Sequence, residues 1–251
     1  MIAPARRPII EVHEVSKHFL LPHELRTTLR EHFVHPLKRT TYEVNQALHD
    51  VTFDVERGEF FGIVGHNGSG KSTLLRILAG IYRPDSGTYH VRGKVSPFIE
   101  LGVGFNYDLS ARENVRINAT LLGLSRRELD EQFDEIFEFA ELRRFVDQKL
   151  KNYSNGMLVR LAFSIAIKAP FDILLLDEVL AVGDESFQQK CYAVFEQMRA
   201  DQKTIVFVSH NLQAVAQFCD RALLLERGVV RALGTPDHVL PTYAHRQAAV
   251  S

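Results

Sequence analysis

"FFGIVGHNGSGKSTLLRILAG", residues 60–80, carries three signals in one short run. "FFGIVG" (60–65) is apolar without alternation, as a strand buried on both faces requires. "KSTLLRILAG" (71–80) has helical periodicity. The junction between them runs Gly65, His66, Asn67, Gly68, Ser69, Gly70, Lys71, Ser72, Thr73. Its glycines let successive backbone N–H groups converge on phosphate oxygens, and the helix N-terminus adds positive potential. Lys71 is suited to reach β- and γ-phosphates, and the Ser72 hydroxyl to ligate Mg²⁺.

Gly65, four residues, then Gly70-Lys71-Ser72 is the spacing of the P-loop, and the strand-to-helix context is the one that motif requires. Two more unalternating apolar runs follow, "DILLLDE" (172–178) and "TIVFVSH" (204–210). Helical patterns at 125–140, 154–168 and 186–200 intervene. Strand–helix–strand alternation predicts an α/β core with a mostly parallel sheet. Asp177 is brought to the carboxyl edge of that sheet, beside the P-loop, where it is expected to hold Mg²⁺ through water. Glu178 follows, placed to orient or deprotonate the attacking water. His210 ends the third strand at the same edge and is expected to contact a γ-phosphate. Together these features define a P-loop ATPase.

The 251 residues allow one large domain or two small ones. A hydrophobic fraction of 45% and a charged fraction of 24% are ordinary globular values. The net charge of −1 argues against a dedicated nucleic-acid binder. Cys191 and Cys219 lie too far apart for metal-ligand spacing and fit a reducing compartment. The N-terminus lacks an apolar h-region, and no run approaches the ~18 apolar residues of a membrane span. A soluble, cytoplasmic chain is expected.

Alternation in residues 9–20, 47–55 and 87–99 predicts an antiparallel sheet with one solvated face. Residues 106–168 read as a helical lobe. "ALLLERGVVRALGTPDHVL" reads as a hairpin about Arg227-Gly228, followed by a helix capped at Thr235 with Pro236 first. Residues 23–44 interrupt the first antiparallel unit with Leu25, Leu29 and Phe33 at helical spacing among basic residues. They are either a plain surface insertion or a docking helix for a membrane partner or an anionic lipid surface.

"NYSNGMLVRLAFSIAIKAP" (152–170) begins with a polar turn and runs into an apolar helix. Ser154 suits its N-cap. Residues 158, 161, 162, 165, 166 and 169 form an apolar face, with Arg160, Ser164 and Lys168 as a polar row. Tyr153-Ser154-Asn155-Gly156-Met157 resembles the signature, usually written LSGGQ, of ATP-binding-cassette (ABC) ATPases, about twenty residues before the strand ending in Asp177.

That resemblance implies one nucleotide-binding domain over 1–251. It would hold an antiparallel β subdomain within 9–99 including the 23–44 insertion, a helical subdomain at about 106–168, and a RecA-like core from 47–105 and 169–245. It also implies a head-to-tail homodimer. Ser154, Asn155 and the Gly156 N–H of one copy would bind the γ-phosphate of ATP held by the other. Phe19 becomes the adenine-stacking aromatic, with Tyr42 as alternative, and Asp184 in "AVGDESF" a dimer-interface residue of the nucleotide site. Glu100 falls within one residue of the family's usual Gln; as a carboxylate it can face Mg²⁺ but, ionised, cannot donate to water.

"YSNGMLVRLAFSIA", "ELGVGF" and "LDEVLAVGDESFQQKC" are together similar to the ATPase subunits of polysaccharide exporters. This implies two copies of an integral membrane permease as partner, a lipid-linked glycan as cargo, and a peripheral place on the cytoplasmic face of the inner membrane. The chain resembles the short form without a C-terminal carbohydrate-binding domain. A drug or small-lipid exporter ATPase is the alternative, and a non-transport ABC ATPase a more distant one.

Overall fold

The computed structural model describes residues 7–22, 42–98, 104–177 and 185–248. Glu100, Glu178, Asp184 and residues 23–41 of the insertion lie outside the described residues. The described strands form two sheets. In the larger, β5 (Val95–Phe98), β6 (Ile173–Asp177), β7 (Thr204–Val208), β3 (Phe60–Val64) and β8 (Arg221–Glu226) run parallel in that order. Antiparallel β9 (Val229–Gly234) closes one edge. The smaller sheet sets β1 (Ile10–Pro22) between β2 (Tyr42–Val55) and β4 (Ser86–Val91), all antiparallel.

Period-two alternation on the parallel strands feeds two cores. Phe61, Ile63, Val206, Val208, Leu223 and Leu225 face the small sheet, with helix α1 (Lys71–Leu78) between the layers. Phe60, Val64, Leu174, Leu176 and Phe207 face the opposite way. They meet α5 (Glu185–Ala200), α6 (Leu212–Phe218) and α7 (Pro236–Ala248). A third core joins α2 (Ala111–Leu121), α3 (Arg126–Phe139) and α4 (Asn155–Lys168). Ser110 and Ser125 cap α2 and α3 with reciprocal capping boxes through Glu113 and Glu128.

The described part of 87–99, up to Phe98, divides between the sheets, contrary to the single antiparallel unit that alternation predicts. β4 pairs with β1, whereas β5 lies parallel to β6. The chain turns at Gly93, where φ is 125° and a Cβ would sit 2.7 Å from that of Asp172. The Asp172 carboxylate accepts from Lys94 N–H at 2.7 Å, and Lys94 O accepts from the amides of Asp172 and Ile173. These bonds tie β5 to the start of β6.

The polar row on α4 also differs from expectation. Ser164 is fully buried, and its hydroxyl donates to Arg160 O at 2.6 Å. Arg160 lies 4.9 Å over the Phe187 ring and pairs with Glu141 at 2.8 Å. Lys168 pairs with Glu135. The reason is that α4 packs on two sides, giving Val159, Phe163 and Ala166 to one core and Leu158, Leu161 and Ile165 to another.

The β8–β9 connection turns on Arg227 and Gly228, both at positive φ, as a two-residue hairpin of this hand demands. A Cβ on Gly228 would meet Ala47 O at 2.7 Å, so this turn is pressed against β2.

Candidate functional site

β3 ends at Val64 and α1 begins at Lys71; residues 65–70 wrap between them. A Cβ on Gly65 would lie 2.2 Å from Leu225 O. One on Gly70, at φ 106°, would lie 2.4 Å from Ala47 O. Glycine is required at both by close backbone approach. A Cβ on Gly68 would meet nothing within 4 Å, so the crest of the loop faces open space. Lys71 is buried, and its Nζ donates to Gly65 O at 2.7 Å and His66 O at 2.9 Å.

A cavity of about 360 Å³ opens here, lined by Asn67, Gly68, Gly70, Lys71, Ser72 and Thr73, with Phe19 of β1 and Asn45 and Ala47 of β2. The Ser69 hydroxyl is buried without a hydrogen-bond partner. Its oxygen would sit 2.6 Å from a Cβ on Gly65 and does not line the cavity; the loop glycines and Lys71 that do line it fit an anionic guest. Asn45 and Ala47 escaped the sequence reading because only strand pairing across the hairpin brings them to Phe19. The His66 ring lies 5.1 Å from that of Tyr243, a contact between loop and C-terminal helix that no local pattern announces.

Across the parallel sheet Ile63, Val208 and Asp177 stand in one row. With strands ~4.8 Å apart, Asp177 is roughly 10 Å from β3, at the same carboxyl edge as the loop. Just past β7, Ser209 accepts from Asn211 N–H at 3.0 Å, and Asn211 caps α6 by accepting from Gln213 and Ala214. Exposed His210 sits between these two turn-makers. Among the described residues no group of three His, Cys, Asp or Glu side chains is arranged around a metal. Mg²⁺ does not need one, since it binds through one or two protein oxygens plus substrate phosphates and water. Ser72, in the cavity wall, and Asp177, at the same sheet edge, carry side-chain oxygens of the kind Mg²⁺ takes.

Ser154, Asn155 and Gly156 start α4 in the helical lobe and do not line the cavity. Ser154 accepts from Met157 N–H at 3.2 Å. Behind it Tyr153 is buried and donates to Phe145 O at 2.8 Å; burial pushes its hydroxyl pKa up to about 12, so it stays a neutral donor. Ser154 and Asn155 are exposed, and a Cβ on Gly156 would meet nothing closer than 3.9 Å. A positively polarised, exposed helix end therefore lies outside the cavity of its own loop.

Gly70→Ala is expected to strain the loop by ~1–3 kcal/mol. Nucleotide affinity should then fall at least about tenfold, measured by titration alongside the melting temperature. Unchanged affinity would remove the close approach to Ala47 from the argument.

A glycine loop after β3, with Asp177 ending β6 two strands away and His210 just past the intervening β7, is the arrangement of the P-loop ATPases. The ABC transporter family model matches residues 48–181. The chain is 39% identical over 247 residues to the O-antigen export system ATP-binding protein RfbB of Klebsiella pneumoniae, covering 96% of this chain and 99% of that one. It is 45% identical over 236 residues to the ABC transporter protein AbcA of Aeromonas salmonicida, covering 94% of this chain and 76% of that one. The dimeric ATP-binding cassette MJ0796, solved with ADP and Pi, has the same fold: TM-score 0.73 at 23% identity, covering 90% and 98% of the two chains. The chain belongs to the ABC transporter family.

Proposed function

We propose that this chain is the ATP-hydrolysing subunit of an exporter that moves a lipid-linked polysaccharide, of O-antigen, galactan or teichoic-acid type, across the cytoplasmic membrane. The observation that carries this reading is likeness to an O-antigen export ATP-binding protein along almost the full length of both chains. In this mechanism the loop amides and Lys71 bind the triphosphate, Phe19 stacks on adenine, and Ser72 directly and Asp177 through water would hold Mg²⁺. The ion would neutralise charge on the β- and γ-phosphates. Glu178 takes the proton of the attacking water, and His210 contacts the γ-phosphate. Ser154 and the Gly156 N–H of a second copy complete the site, with Asp184 at the interface, so binding ATP draws two copies together. Hydrogen bonds to charged groups, ~1.5–3 kcal/mol each, make that closure reversible on hydrolysis. Glu100, in place of the family's usual amide, would offer a carboxylate to the Mg²⁺.

No helix among the described residues is long and apolar enough to cross a membrane. By likeness to the export-system ATP-binding subunits, the pathway for the glycan is assigned to a separate permease, with this subunit peripheral on its cytoplasmic side. An apolar groove of about 200 Å³ runs between β5 and the helical lobe, lined by Pro97, Phe98, Phe105, Leu121, Leu122 and Ile165. Leu121 at its rim is 72% exposed, and Ile117 one turn back is 42% exposed. Apolar surface of this kind marks an interaction site, and we place the permease there.

The test is co-purification with the membrane subunit, followed by ATPase assays with and without lipid-linked glycan. Stimulation by glycan supports the reading; stimulation by small amphiphiles instead would favour a drug or small-lipid exporter. In the same preparation Leu121→Asp should release the permease while ATP binding by the isolated subunit is unchanged. Retained co-purification would move the docking site elsewhere.

A further inference from the structure

Asp85 belongs to "RPDSG" (83–87), in the turn between α1 and β4. Its backbone N–H donates to Ser16 O at 2.9 Å. Its carboxylate accepts from Lys17 Nζ at 2.8 Å and from the His18 backbone N–H at 2.6 Å, and meets His18 Nδ1 at 2.8 Å. The Lys17 bond and the His18 amide hold the carboxyl below its ordinary pKa, so it is a carboxylate at neutral pH.

These contacts fall where the β1–β2 pairing slips: Lys17 pairs with Leu48, but His18 pairs with Gln46. Irregularities of this type re-aim side chains, and a one-residue change of register turns a strand's side chains to the other face. The next residue is Phe19, whose ring lines the cavity beside the phosphate loop. Lys17, held by Asp85, places its ammonium 5.5 Å from the Phe19 ring centre. Tyr82, three residues before Asp85, packs edge-on against the same ring at 5.5 Å. Arg76 of α1 lies in turn over Tyr82 at 5.7 Å.

We infer that Asp85 is a positioning residue for nucleotide binding: it locks the β1 slip and keeps the Phe19 ring pre-set at the base end of the cavity. Asp85 touches no nucleotide; it acts through Lys17, His18 and Phe19. A ring already in place does not have to be ordered when the base arrives, and that ordering otherwise subtracts from affinity. The inference rests on the reading of Phe19 as the base-stacking ring.

The test uses the full chain and two probes, ATP and inorganic tripolyphosphate, which has the phosphates but no base. Asp85→Asn and Asp85→Ala should weaken ATP binding about fivefold, the low end of what an aromatic–base stack contributes, and leave tripolyphosphate affinity unchanged. KM for ATP should rise by a similar factor with kcat preserved. The asparagine variant keeps shape and turn, so it reports even where alanine fails to fold. Added to Phe19→Ala, either change should cost no further affinity. If Phe19→Ala weakens ATP but the Asp85 variants do not, or if they weaken both probes equally, Asp85 has no positioning role. If Phe19→Ala itself leaves ATP affinity unchanged, the stacking reading fails and this inference with it.

Discussion

Glu178→Gln should leave ATP bound while turnover falls by about 10²–10⁴-fold, the usual contribution of a positioned base. The amide has nearly the shape of the carboxylate but cannot accept a proton from water at neutral pH. The residue before it, Asp177, ends β6 in register with Val208, at the carboxyl edge where the phosphate loop lies. In the proposed mechanism binding relies on Lys71, Ser72 and the loop amides, which the substitution leaves unchanged. If, as proposed, hydrolysis reopens the pair, a variant trapped with ATP should also favour the closed pair. The measurements are nucleotide affinity, single-turnover hydrolysis and sedimentation with ATP. Full activity would take Glu178 out of the mechanism; loss of ATP binding would show that the change damaged the cradle instead.

Ser154→Asp should reduce turnover at least about 10²-fold, the scale on which removing a donor to developing charge acts. Aspartate is as good an N-cap as serine, so α4 should survive. What changes is the sign of the charge that the helix end shows to a triphosphate. Lys71→Ala is expected to be inactive for a different reason, loss of the β/γ-phosphate contact in its own cavity. If each site takes its loop from one copy and its Ser154 from the other, these two inactive chains should rescue each other. A mixed pair contains one doubly damaged site and one intact site. Random mixing makes half the pairs mixed, so about a quarter of wild-type activity should return, given two-fold symmetric pairing. No recovery on mixing would mean that cavity and signature serve within one chain, and the two-copy reading would fall.

The strands ending at the phosphate loop, Asp177 and His210 were legible in sequence because parallel strands covered on both faces leave continuous apolar runs. Their shared carboxyl edge followed from strand–helix alternation alone. Less legible was anything set by pairing partners far apart in the chain. Residues 95–98 alternate like β4, yet Gly93 and the Asp172 carboxylate hand them to the other sheet. Ser164 reads as a solvent-facing residue but is buried, because a second core packs on that side of α4 and its hydroxyl is satisfied within the helix. Asn45, Ala47 and Asp85 carry no motif of their own. Their relation to Phe19 arises from a slipped register, which hydrophobic pattern does not encode.

Helix α4 has one flank in each of two cores over its 14 residues, about 21 Å at the usual rise. It therefore has no slack with which to turn or slide independently of either. In the proposed two-copy site, a tug on its capped end by a neighbour's phosphate would be borne as by a strut, moving the lobe with α2, α3 and the Leu121 rim together with the sheet core that grips the helix's other flank. The distance between a bound nucleotide and the membrane would then be bridged by rigid displacement, with no need for any helix to melt.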